Sequence, residues 1–234
     1  MNTSSPLDGR VAIVTGGSRG IGFAIAKALL ARGMWVAISG RDPESLADAA
    51  NALDAGDRLI TFPGDVGKLE DVKRLVAATV ERWNRLDVLV NNAGIGTFAH
   101  IADMTPEIWH AVIDTNLTGV FFCCNAAIPH LKKAGGGWII NISSLAGKNA
   151  FVGGGAYCAS KAALNQFSEA LMQEVRYDGI RVSYIMPGSV DTGFGGPNAA
   201  AGASAGSSWK IAADDVAAVV LDLLDTPTRT LPSR

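Results

Sequence analysis

Short, continuously apolar runs alternate along the chain with longer stretches whose apolar positions return every three or four residues. VAIVTG (11–16), WVAISG (35–40), RLITFPG (58–64), LDVLVNNAG (86–94), GWIINISS (137–144) and IRVSYIMPG (180–188) read as strands. GIGFAIAKALLARG (20–33) reads as a helix, with Ile21, Ile25, Ala28 and Leu29 on one face and Gly33 at its end. PESLADAANAL (43–53) opens on a proline suited to a first helical turn, and KLEDVKRLVAATVERW (68–83) is amphipathic through Leu69, Val72, Leu75, Val76 and Val80. Further helices are expected from Pro106 to about Leu131 and from about Ala156 to Tyr177. A last one covers 214–225, with Asp214 and Asp215 at its positive end. Strands that are apolar on both sides need cover on both faces. The expectation is therefore α/β: a doubly wound parallel sheet of six or seven strands in a single domain over residues 1–234.

Composition narrows the function classes. Twenty basic and 22 acidic side chains leave a net charge of −2, so no basic excess draws the chain to nucleic acid or an anionic membrane. No run approaches 18 unbroken apolar residues, and MNTSSPLDGR lacks the charged start and apolar core of a signal peptide, so a cytoplasmic location is expected. Cys123, Cys124 and Cys158 form an odd set without metal-ligand spacing and are expected to be buried free thiols. His100, His110 and His130 have no ligand-like spacing either, so no metal is expected. Residues 193–208, GFGGPNAAAGASAGSS, are nearly all small, and they fit a flexible substrate loop at about 190–212.

Two places carry chemistry. In TGGSRGIG, glycines 16, 20 and 22 permit a tight turn, and the helix that follows offers unpaired N–H groups to a pyrophosphate. The spacing is Gly-x-x-x-Gly-x-Gly, and any strand-to-helix turn can be glycine-rich; its place in the first βα unit favours nucleotide binding. The second strand ends in SGRD, where an NAD-binding unit usually offers a carboxylate to the adenosine ribose. Gly40 and Arg41 stand there instead. Arg41 and Arg19 can pair with a 2′-phosphate, which favours NADP over NAD.

The second place is YCASK (157–161). A tyrosine and a lysine four residues apart share a helix face. They are either ordinary surface residues or an acid/base device in which the lysine cation lowers the phenol pKa.

Taken in order, TGGSRGIG, Asp65–Val66, NNAG (91–94), Asn116 in DTNLTG, NISS ending at Ser144, YCASK and PGSVDT (187–192) resemble the short-chain dehydrogenase/reductase family. The resemblance covers about Leu7 to Asp225 and implies a Rossmann-type oxidoreductase that moves a hydride between NADP(H) and a carbonyl or secondary alcohol. It makes Ser144, Tyr157 and Lys161 the catalytic trio, with Asn116 placing a water behind Lys161, which also bonds the nicotinamide ribose. Gly16, Ser18, Arg19, Gly20, Ile21, Gly22 and Arg41 would hold the phosphates. Asp65 and Val66 would contact adenine, Asn92, Ala93 and Gly94 would line the channel, and Pro187, Gly188, Val190 and Thr192 would hold the nicotinamide end.

Phe98, Phe151, Phe194 and Trp209 are then the large apolar groups available for an aromatic, uncharged substrate pocket around Ser144. That pocket suits neutral ketones or aldehydes, as in a carbonyl reductase or 3-oxoacyl reductase. Phe121 and Phe122, with Phe167, Leu171 and Val175, are read either as core or as a dimer face, and a homodimer or homotetramer is expected. The family's seventh strand would begin where TPTRTLPSR stands. The competing reading is a catalytically idle NADP-binding redox sensor, which has no need of the complete trio.

Overall fold

The computed structural model describes residues 7–194, 209–227 and 230. The strands are β1 (Val11–Thr15), β2 (Trp35–Gly40), β3 (Leu59–Pro63), β4 (Val88–Asn91), β5 (Gly137–Ile142) and β6 (Ile180–Ile185). All pairings are parallel, in the order β3-β2-β1-β4-β5-β6, so the direction of winding reverses between β1 and β4. The carboxyl ends of strands flanking such a reversal diverge into a crevice, which is where open α/β sheets take ligands.

The helices are α1 (Gly20–Ala31), α2 (Pro43–Leu53), α3 (Leu69–Trp83), α4 (Pro106–Ile113), α5 (Gly119–Lys133), α6 (Gly155–Val175) and α7 (Ala213–Asp225). The pleat divides the core. Ala12 and Val14 of β1 face a cluster with α1, α2 and α7, while Val11 and Ile13 face one with α3, α5 and α6. Local chemistry fixes the ends: Asp42 accepts from the backbone of Glu44 and Ser45 at the start of α2, and Thr105 caps α4. Arg32 grips Asp225 with two hydrogen bonds of 2.8 and 2.9 Å, tying the end of α1 to the end of α7.

One expectation changes and two sets of alternatives narrow. The long helix from Pro106 is broken by a π-helical turn, Asp114–Thr118, before α5 continues to Lys133. Its one inner side (Val112, Asn116, Val120, Cys124, Ala127, Leu131) is buried, so this run, long and apolar enough to cross a membrane, serves as a core helix. Leu171 and Val175 are also buried within the chain, so only Phe121, Phe122 and Phe167 of the five remain even partly exposed for a second copy. Among the described residues the sheet has six strands. The cysteines are free and buried, and burial pushes the thiols of Cys123 and Cys124 up in pKa.

Candidate active site

A cavity of about 1110 Å³ opens over the carboxyl ends of the strands, and every expected site residue lines it except Gly22 and Asn116, which stand behind its wall. Gly16 sits at φ +65°, where a side chain is strained. Gly22 is required by packing. A Cβ there would lie 2.2 Å from the Gly16 carbonyl oxygen and 2.4 Å from Asn92 Nδ2, so its role is to let α1 approach β1 and β4. Asn92 Nδ2 donates to the carbonyls of Thr15 and Gly16, and Thr15 Oγ1 accepts from the backbones of Asn92 and Ala93. These bonds lock the glycine turn to NNAG. Arg19 precedes α1 without a side-chain cap, so the first N–H groups of that helix, at Gly20 and Ile21, face the cavity as an anion site.

Arg19 and Arg41 are exposed at the same end and make no ion pair among the described residues. Gly40 lies close to Ser18 Oγ, and no carboxylate occupies its position. Asp65 Oδ1 accepts from the backbone of Gly67, which shapes the loop that carries Val66 along the wall. The donors and the space fit a dinucleotide with a third phosphate.

At the other end, Ser144 Oγ accepts from the backbone of Ala146 at 3.1 Å, opening a short 3-10 turn over Leu145–Gly147. Its hydroxyl also interacts with the phenol of Tyr157. Burial pushes that phenol up in pKa, and the Ser144 hydroxyl offsets only part of the rise. Lys161 is buried and donates to the Ile142 carbonyl at 2.8 Å, with its Nζ 5.8 Å from the centre of the Tyr157 ring. Desolvation lowers its pKa to about 8. The lowering of the phenol pKa expected from Lys161 is not met in this geometry: burial raises the phenol, and Ser144 rather than Lys161 is the group that offsets the rise.

Asn116 sits at the π turn. Its Oδ1 accepts from the Ile95 backbone at 2.8 Å, and its Nδ2 donates to the Ile95 carbonyl and to Ser160 Oγ. The extra residue in the turn aims the amide at the chain beyond NNAG. Asn116 Oδ1 and Lys161 Nζ both face the bare side of Gly94, 3.3 and 3.7 Å from where a Cβ would stand.

The rings gather as expected. Phe98 meets Phe151 edge to face at 5.3 Å and Tyr157 at 5.8 Å, and Phe194 lies 5.8 Å from Tyr157. Trp209 lines the same cavity. Residues 195–208 of the small-residue loop lie outside the described residues; its two ends meet in a parallel bridge between Val190 and Ile211. Lys210 also lines the wall, 3.9 Å from Asp191, so the pocket is not free of cations. Among the described residues no group of histidine, cysteine or carboxylate side chains is arranged to hold a metal.

Sequence reasoning missed a buried polar network beneath the site. Asn91 Nδ2 donates to Asn141 Oδ1, Asn141 Nδ2 to Ser168 Oγ, and Ser143 Oγ to Asn165 Oδ1. The signal was available: Asn91 and Asn141 end neighbouring apolar strands in direct register. Asn149 and Leu145 of the wall carried no such signal.

A doubly wound sheet with a dinucleotide-sized crevice, holding a serine, a tyrosine and a lysine together at one end, defines a nicotinamide-type oxidoreductase. The short chain dehydrogenase family model matches residues 10–201, and the chain belongs to that family. It is 35% identical to an uncharacterized oxidoreductase of Staphylococcus saprophyticus over 95% of this chain and 94% of the relative. It is 43% identical to the 3-oxoacyl-[acyl-carrier-protein] reductase FabG of Chlamydia trachomatis, over 81% of this chain and 77% of that protein. Among solved structures, a metagenomic short-chain oxidoreductase in complex with NADP aligns with a TM-score of 0.84 and 35% identity, covering 97% of this chain and 95% of its own. An alcohol dehydrogenase from Thermococcus sibiricus complexed with 5-hydroxy-NADP aligns with a TM-score of 0.86 and 31% identity, covering 97% and 94%.

Proposed function

We propose that this oxidoreductase interconverts a carbonyl compound and its secondary alcohol with NADP(H), which it prefers over NAD(H). The observation that carries the reading is one cavity with Ser144, Tyr157 and Lys161 at one end and, at the other, Arg19 and Arg41, which make no ion pair among the described residues. When bound, the nicotinamide supplies or accepts the hydride. Ser144 donates to the substrate oxygen, and Tyr157 transfers its proton to that oxygen during reduction. An ordinary phenol is protonated at neutral pH, so Tyr157 holds the proton that reduction needs. Among the described residues Lys161 has one acceptor, the Ile142 carbonyl, which leaves N–H groups to hold the nicotinamide ribose. Asn116 and Lys161 flank the space beside Gly94 in which a proton-relaying water would sit.

The ring cluster supports neutral, fairly apolar ketones or aldehydes. The 3-oxoacyl reductases among the relatives support 3-oxoacyl compounds as a second class. An idle sensor is disfavoured, because the trio is complete and assembled. A homodimer through Phe121, Phe122 and Phe167, in the cytoplasm, accords with this reading. The test is oxidation of NADPH and of NADH with a panel of ketones and aldehydes. Turnover with a Michaelis constant at least tenfold lower for NADPH is expected. Equal constants would end the cofactor assignment, and no turnover with any carbonyl would end the enzymatic one.

A further inference from the structure

Outside the cavity mouth the surface stays apolar. Leu145 and Phe151 line the cavity and are 44% and 45% exposed, and beyond them Val152 and Ile101 are 82% and 68% exposed. These residues are held together. The backbone of Ala99 donates to the Gly153 carbonyl at 2.9 Å, joining the Ile101 segment to the Val152 segment. Ile101 Cδ1 fills the space a Gly155 Cβ would take. Inward, Phe151 packs on Phe98, and Phe98 packs on Tyr157. An unbroken apolar path therefore runs from the catalytic phenol to the outer surface. Exposed apolar area joined to a binding cavity marks where a ligand continues outward.

We infer that the substrate is a carbonyl compound with an extended apolar tail, the head held at Tyr157 and the tail lying on a collar formed by Leu145, Phe151, Val152 and Ile101. The inference rests on the reductase reading and adds to it a tail that leaves the cavity. Continuity with the catalytic cavity selects the substrate's own tail as the occupant.

The experiment is kcat/KM with NADPH for 2-alkanones from 2-butanone to 2-undecanone. A methylene half-covered by the collar gives a rise of roughly twofold per added carbon. In the double variant Ile101→Asn/Val152→Asn the outer part of that rise should flatten while 2-butanone keeps its original rate; neither residue lines the cavity. A flat chain-length series, or equal losses for short and long ketones, would overturn the inference. Displacement of a bound anilinonaphthalene sulfonate dye by the same ketones provides a reading independent of turnover. A chain-length slope there, lost in the double variant, supports the collar even if no ketone is reduced, in which case only the reductase reading falls. Sedimentation with phosphatidylcholine vesicles, lost in the double variant, would assign the collar to lipid and overturn the inference.

Discussion

The two ends of the cavity are built by opposite means. At the reactive end the polar groups are buried and bonded to one another or to backbone, as Asn116 is to Ile95 and Lys161 to Ile142. At the phosphate end Arg19 and Arg41 extend from the surface without partners among the described residues. Buried networks hold a geometry and are costly to disturb, whereas exposed cations recognise charge and adjust to it. On the proposed reading, chemistry depends on placement and cofactor choice on charge.

The contrast predicts where substitutions act. Tyr157→Phe keeps the ring packed against Phe98 and Phe194 and removes only the hydroxyl, so kcat should fall by roughly 10²–10⁴ with cofactor affinity within about twofold of the original. Single-turnover kinetics beside a cofactor titration would check this, and a matching loss of affinity would erase the distinction between the ends.

Lys161 tests the burial of the reactive end through pH. Its pKa of about 8 in the folded protein lies below its ordinary value of 10.5. Below pH 8 both states hold the proton and the desolvation penalty is fully present. Between pH 8 and 10.5 the unfolded chain binds more protons, so folding stability should rise with pH across that window, by up to about 3 kcal/mol. Lys161→Met should lack the rise and be the more stable protein at pH 7, as read from urea midpoints at a series of pH values. Parallel curves for the two proteins would show that the ammonium is solvated.

At the phosphate end, Arg41→Ala should leave kcat near its original value and weaken NADPH binding by about 1–3 kcal/mol, narrowing the gap to NADH. The penalty should shrink as salt rises, because Arg41 is exposed. A loss of kcat would mean that the two ends are coupled.

The sheet and its helices were legible because parallel strands must be apolar on both faces and amphipathic helices must repeat at 3.6 residues. The trio was legible through the family resemblance, since the spacing of YCASK alone left the pair undecided. The π turn was not. One additional residue in DTNLT leaves the apolar repeat of the helix nearly intact, and only the Asn116–Ile95 bonds reveal its purpose. The burial of Leu171 and Val175 was equally hidden, since an apolar helix face looks the same whether the chain or a second copy covers it. The partner of Tyr157 was misjudged for a different reason. Helical spacing placed Lys161 near it, but depth, which i and i+4 spacing does not report, sent the ammonium to Ile142.

The bridge between Val190 and Ile211, with Asp191 N–H donating to the Ile211 carbonyl and Ile211 N–H to that of Ser189, has a consequence for how this protein can diversify. It ties the chain at Ser189–Asp191 to Ile211 beside the reactive end. The entropy of closing a loop grows only by about 0.6 kcal/mol for each doubling of its length. Insertions between Thr192 and Trp209 should therefore be thermodynamically mild while changing the chain that joins Phe194 to Trp209, both in the cavity wall. Natural variation or laboratory evolution can rewrite substrate choice there and leave the sheet, the glycine turn and the trio as they are.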